Sequence, residues 1–183
     1  SPKRASASHN FQWRGRSYAP QLNVHFGLSQ PILFRGFNAA ADFRYRRWVF
    51  EYSHGMALDY NAVSAVEERF VGTTGADLDS PWTTGFGVGF NLVDDLYLMA
   101  EFKAHRYTLS LDGEEQAYTT ISVGPALAYR FFIWRGLNLT TYLRFWPNVW
   151  DSAPQELSVG GEVFEPVDLG FFLNFSLGWA FDL

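Results

Sequence analysis

Cysteine is absent from the 183 residues. That excludes a disulfide framework, a thiolate metal site and a thiol nucleophile; it leaves the redox compartment open. There is also no unbroken run of ~18 apolar residues, so no transmembrane helix is encoded. Charge is scarce: 18% of residues are Asp, Glu, Lys or Arg, against ~25% in an ordinary soluble domain. The net charge of −5 argues against a nucleic-acid partner, which requires a basic patch. The loops hold no His-rich tract and no Asp-x-Asp-x-Asp-Gly sequence of the calcium-loop kind, so the residues imply no metal and no cofactor.

Aromatic residues are abundant, at 19% of the chain, with 18 Phe, 9 Tyr and 7 Trp. Most recur at alternate positions. From Val167 to Leu183 the odd positions are Val, Leu, Phe, Leu, Phe, Leu, Trp, Phe and Leu. The even ones are Asp168, Gly170, Phe172, Asn174, Ser176, Gly178, Ala180 and Asp182, and only Phe172 breaks the alternation. A period of two held this long means a β-strand with two chemically different faces, much longer than the usual ~5–6 residues. The chain ends polar-x-Gly-x-x-apolar-x-apolar, with Ser176, Gly178, Phe181 and Leu183 in those places.

On these residues the sequence resembles the bacterial outer-membrane β-barrels, whose closing strand carries such a terminal signal for the barrel assembly machinery. The resemblance covers residues 18–183 in pattern and is to the eight-stranded OmpA/OmpX type. It implies the bacterial outer membrane as location, with contacts to outer-membrane lipid and lipopolysaccharide and to the assembly machinery during biogenesis. It also implies a secretion leader removed before Ser1. A mean hydropathy of −0.11 does not oppose this, because alternating strands average out.

Residues 1–17, with Lys3, Arg4, Arg14 and Arg16, form a basic polar tail that the resemblance places in the periplasm. Alternation predicts eight strands after it: about 18–29, 36–46, 48–60, 82–92, 96–110, 118–130, 137–146 and 167–182. Strands 2–3, 4–5 and 6–7 are joined by short turns. Residues 61–81 and 148–165 are long, Gly- and Pro-bearing loops, and Asp112–Glu115 is an intermediate one. Short turns at one end and longer loops at the other match a membrane barrel with periplasmic turns. Pro125 lies within strand 6, where a missing N–H predicts a bulge or local break. The predicted fold is an all-β, eight-stranded, antiparallel up-and-down transmembrane β-barrel, closed by pairing strand 1 with strand 8.

The two faces differ in charge. The polar face carries six acids (Asp42, Glu51, Asp59, Glu101, Asp168 and Asp182) and five bases (Arg44, Arg46, Lys103, Arg130 and Arg144). A soluble barrel would turn this face to water. Near-balanced charge beside Gly85, Gly87, Gly89, Gly124, Ala126 and Ala128 instead fits a packed lumen, since eight strands leave just enough room for side chains and buried charges need partners. Asp42, Arg44, Arg46, Glu51, Glu101, Lys103, Arg130 and Arg144 are therefore predicted to form a lumen charge network. The other face is predicted to meet lipid. Two aromatic belts are expected at the interfaces: Tyr18, Tyr45, Trp48, Tyr129, Trp134, Trp179 and Phe181 at the turn end, and Tyr60, Trp82, Tyr107, Tyr118, Trp146 and Trp150 at the loop end.

Catalytic chemistry is thinly supported. His25 and His105 point inward, where a hydrogen-bonded core histidine is the simpler reading. His54 falls on the lipid face beside Ser53, but adjacent strand residues face opposite ways and cannot form a dyad. The glycines at 85, 87 and 89 share a strand face and do not open a helix, so they are not a phosphate loop. His54 and Arg106 are possible lipid contacts, and Trp150 a possible loop contact. Asp112, Glu114, Glu115, Asp151, Glu156, Glu162 and Glu165 make the loops acidic. The expected role is a non-enzymatic scaffold or an interaction or adhesion module acting through its extracellular loops, with an unidentified extracellular or periplasmic protein partner. A lipid-modifying enzyme and a narrow conduit for small apolar molecules remain as alternatives.

Overall fold

The computed structural model describes residues 12–13, 16–17, 19–72, 74–93, 95–154 and 157–183. The basic tail lies outside them, apart from a short pairing of Gln12–Trp13 with Arg16–Ser17. Eight antiparallel strands form the barrel: β1 Gln21–Gly27, β2 Phe37–Tyr45, β3 Trp48–Asp59, β4 Asp77–Val93, β5 Leu96–Leu111, β6 Glu114–Trp134, β7 Leu137–Trp146 and β8 Gly170–Asp182. Each pairs with the next in sequence, and β8 pairs with β1 from Asp182↔Gln21 to Ser176↔Gly27, so the sheet closes. Closure removes the free edges that lipid could not satisfy.

The faces follow the alternation. Phe26, Phe43, Phe50, Phe86, Phe102, Leu143, Phe175 and Leu177 are exposed on the outside, while Asn23, Asp42, Glu51, Glu101, Lys103, Arg130 and Arg144 are buried within. Apolar side chains outside a polar interior are the arrangement of a membrane barrel. At the turn end, Tyr45, Trp48, Tyr129, Trp134 and Trp179 are all exposed as a belt.

The loop end differs from the sequence reading. A spanning strand needs ~9–11 residues, yet β4, β5 and β6 run to 17, 16 and 21 residues. They project beyond the membrane, and there their inward face becomes apolar. Tyr60, Tyr107, Tyr118 and Trp146 are buried inside the barrel, not in an outer belt; of that expected set only Trp82 and Trp150 are exposed. Tyr60, Tyr107 and Tyr118 join Leu58, Leu78, Leu109, Leu157, Val159, Phe164 and Val167 in one cluster, which caps the lumen. Leu58 and Tyr60 reach it because Ala57, at φ 56, faces outward like Met56 before it and reverses the parity of β3 while its register with β4 stays unchanged. Ser80–Pro81 shifts the register of β4 opposite.

The connections are more ordered than loops. Residues 61–81 hold a 3-10 turn (Tyr60–Ala62), a short helix (Ser64–Phe70) and the start of β4. Of residues 148–165, Asn148–Asp151 continues the wall beside β6, and Leu157–Val159 pairs with Glu162–Phe164. Asp112–Gly113 is a two-residue hairpin turn with φ 54 and 85, the conformation that favours Asp-Gly. Pro125 keeps its register with Ala100, but the ladder to β7 is interrupted between Ala126↔Arg144 and Ser122↔Asn148. β1 ends early: helix α1, Ser29–Leu33, carries the chain on to β2, with Pro31 tolerated in its first turn.

Candidate functional site

Inside the membrane-spanning part, the strands bring charged side chains into contact across the lumen. Asp42 and Arg44 share the inward face of β2, so Arg44 Nε donates to the Asp42 carboxylate at 2.9 Å. Asn23 Nδ2 donates to the same carboxylate at 2.8 Å, and Asn138 Nδ2 donates to Asn23 Oδ1 at 2.8 Å. Arg130, on β6, lies 2.9 Å from Asp95, and Arg44 Nη1 lies 3.8 Å from it. One level higher, Arg144 Nη2 stands 3.2 Å from both Glu51 and Glu101, tying β7 to β3 and β5. The Tyr142 hydroxyl donates to Glu51 at 2.9 Å, and Trp146 Nε1 donates to Glu101 at 2.7 Å. His25 Nε2 stands 3.6 Å from Asp42 and 3.8 Å from Glu51.

The sequence-predicted network divides. Asp42, Arg44, Glu51, Glu101, Arg130 and Arg144 come together. Lys103 is also inside, but its ammonium donates to Ser53 Oγ and lies 4.9 Å from the centroid of the Trp146 ring. Gly85 is required beside it, because a Cβ there would fall 2.0 Å from the lysine stem. Arg46 is a correction. β2 stops at Tyr45, and Arg46 occupies the turn at φ 54 with its side chain exposed, over the Tyr45 ring. Asp95 is the member that sequence reasoning missed, being assigned to a turn. Its parity with Tyr97, Met99 and Glu101 was the available signal. Among the described residues, the buried charges are thus Asp42, Glu51, Asp95 and Glu101 against Arg44, Lys103, Arg130 and Arg144.

His54 is half-buried on the outer face between Ala39 and Thr84. Ser53 points inward to Lys103, so the two do not meet. Arg106 lies on the outer face in register with Trp82 and donates to Thr119 Oγ1 at 3.2 Å. Trp150 is exposed, but it belongs to the wall segment opposite Ile121 rather than to a free loop. The inward hydroxyl–imidazole contact is Thr83 Oγ1 to His105 Nδ1, 2.9 Å.

Above the ion pairs, a cavity of about 250 Å³ lies between the network and the apolar cap, bordered by α1 and the outer part of β8. His105, Arg144, Trp146 and Asn174 line it from within, and Leu33, Phe171 and Leu173 from the outer surface.

No family model and no curated protein matches the sequence. Among solved structures the chain is similar to Neisserial surface protein A (NspA), at 15% identity over 90% of this chain and 96% of that one, with a TM-score of 0.47.

Proposed function

We propose that this is a bacterial outer-membrane barrel that does not conduct and serves as a non-enzymatic scaffold, presenting an interaction surface on its extracellular cap. The observation that supports this reading most is the double lumen closure. Arg144 bridges Glu51 and Glu101 across the barrel, and the cluster around Tyr60, Tyr107 and Tyr118 fills the outer end. A rigid scaffold concentrates binding residues in the segments it presents. The cap exposes Val163 beside Glu162 and Glu165, and Glu114, at the tip of the β5–β6 hairpin with Asp112 and Glu115, accepts from Gly160 N–H; Val149, Trp150 and Asp151 stand lower, in the wall opposite residues 120–122, and Glu156 lies outside the described residues. An exposed apolar side chain among acids fits a partner with a basic rim and an apolar centre. Divalent-cation bridging to lipopolysaccharide phosphates is the other use of these acids.

Two measurements test the reading. Planar-bilayer recordings of purified protein are expected to show no stable conductance. Replacing the hairpin at 157–164 with a short Gly-containing turn is expected to leave the barrel folded and abolish its cellular role. A sizeable stable channel, or a full role retained without the hairpin, would refute it.

A further inference from the structure

The barrel wall is incomplete on one side. β8 pairs with β1 only from Ser176 to Asp182. The seam ends where Leu28 N–H donates to the Phe175 carbonyl at 2.7 Å and Phe175 N–H donates to Ser29 Oγ at 3.3 Å. Beyond it, Gly170–Asn174 pairs with β7 on one side and with no described strand on the other. The cavity of about 250 Å³ opens at this gap. Non-regular backbone at membrane depth is tolerated where it lines a cavity.

Four residues that line the cavity each carry a buried side-chain atom without a hydrogen-bond partner: His105 Nε2, Arg144 Nε, Asn174 Oδ1 and Gln30 Oε1. The first three belong to side chains only 2%, 6% and 3% exposed. Buried groups left unpaired weaken a fold, and here the residues that carry them, donors and acceptors together, line one cavity. The outer wall is apolar: Leu33, Phe171 and Leu173 are 45%, 67% and 56% exposed on the lipid side.

We propose that this opening binds a single-chain amphiphile with an uncharged, hydrogen-bonding head, taken from the outer leaflet of the bilayer. The head sits against His105, Arg144 and Asn174, and the alkyl chain leaves over Leu33, Phe171 and Leu173. The head is uncharged because the buried charges beneath it already balance, four acids against four bases among the described residues, and an added charge would lack a partner. The level fits the outer leaflet. His105 is about ten residues from the turn end of β5 and Asn174 about nine from that of β8, against the ~9–11 residues of a full crossing. The volume fits the head: at the ~30 Å³ of one water in the liquid, it holds roughly eight methylene-sized groups, about the size of a glycerol ester. This site goes beyond the scaffold reading and does not depend on it.

The test uses the full barrel in phosphatidylcholine nanodiscs, with monodecanoylglycerol as probe and decanoate as its charged counterpart. Binding is read from the His105 imidazole nitrogens and the Leu173 methyls by NMR. Monodecanoylglycerol is expected to shift both saturably and to bind at least tenfold more tightly than decanoate. Asn174→Leu removes one acceptor and is expected to weaken binding about tenfold. Leu173→Trp, on the lipid face where added apolar bulk does not disturb folding, narrows the gap and is expected to weaken it while the polar floor stays intact. Absence of saturation in the wild type, equal affinity for decanoate, or unchanged binding in Leu173→Trp overturns the proposal. A failure of Asn174→Leu to fold leaves the other three measurements to decide.

Discussion

Arg144 holds the lumen together, and its removal is predicted to cost about 3–5 kcal/mol. The residue is 6% exposed, and its guanidinium stands 3.2 Å from both Glu51 and Glu101. At an effective dielectric of 20, each contact is worth ~5 kcal/mol of gross attraction, most of it spent on desolvating the three groups. Arg144→Met therefore loses far less than the gross sum. What it leaves is the penalty of two carboxylates without their shared cation, and breaking a buried pair in this way costs ~3–5 kcal/mol. The loss stays within that range because each carboxylate keeps one donor, Tyr142 for Glu51 and Trp146 for Glu101. Charge balance makes a second, sharper expectation. Arg144→Met leaves Asp42, Glu51, Asp95 and Glu101 facing only Arg44, Lys103 and Arg130. Adding Glu51→Gln restores three against three and keeps a side chain that can bond Tyr142. The double variant is expected to recover ~2 kcal/mol, within the usual coupling of contacting residues. The assay is urea unfolding of protein refolded in phosphatidylcholine vesicles, followed by tryptophan fluorescence. A loss below ~1 kcal/mol for Arg144→Met, or a double variant no better than the sum of its singles, refutes the charge-pairing argument.

Leu177→Arg, outward and near mid-strand on β8, is expected to destabilise by about 2–4 kcal/mol in the same vesicles, as an arginine does near the bilayer midplane; no loss would mean that this face does not meet lipid. Gly124→Val is expected to prevent stable closure between β6 and β7, because a Cβ there would fall 1.8 Å from the Phe145 carbonyl oxygen. The check is the heat-sensitive gel mobility of the folded barrel, and unaltered mobility would show that the approach is looser than drawn.

The barrel was legible because alternation is a covalent consequence of strand geometry and does not depend on what surrounds it. The same rule held where the chemistry misled. Tyr107 shares its parity with Lys103 and His105, Trp146 with Arg144, and Tyr118 with Thr120 and Ser122, so strict alternation places all three inside. Residue type alone points instead to a lipid-interface belt, where tyrosine and tryptophan are common. The inward face turns apolar in the part of the strands beyond the ~9–11 residues of a crossing, where the barrel becomes an ordinary protein core. Leu58 and Tyr60 were not legible in this way, since the left-handed backbone at Ala57 reverses parity with no local marker: alanine rarely adopts φ 56. Arg46 failed for the opposite reason. The alternating pattern continues one residue past the strand end at Tyr45, where a turn releases the side chain to the surface.

The early end of β1 links the remaining features. β1 has seven residues, whereas β4, β5 and β6 run to 17, 16 and 21. A barrel with one short stave cannot be sealed by strand pairing at that side. The chain answers with three devices: the helix at Ser29–Leu33 lies beside the gap, the Ser29 hydroxyl receives the Phe175 N–H, and Phe172 turns inward onto the Trp146 ring at 4.5 Å. Phe172 is the one residue that breaks the alternation of β8, and its position explains why. On the inward face a polar residue would stand at the junction of the ion-pair lattice and the apolar cap, beside a cavity open to lipid. An aromatic ring there separates the two media. Polarity returns just below it, at Asn174, the first inward position of β8 whose neighbours His105 and Arg144 also carry unpartnered atoms. The break in pattern, the short strand and the unpaired polar atoms thus fall at one place on the wall.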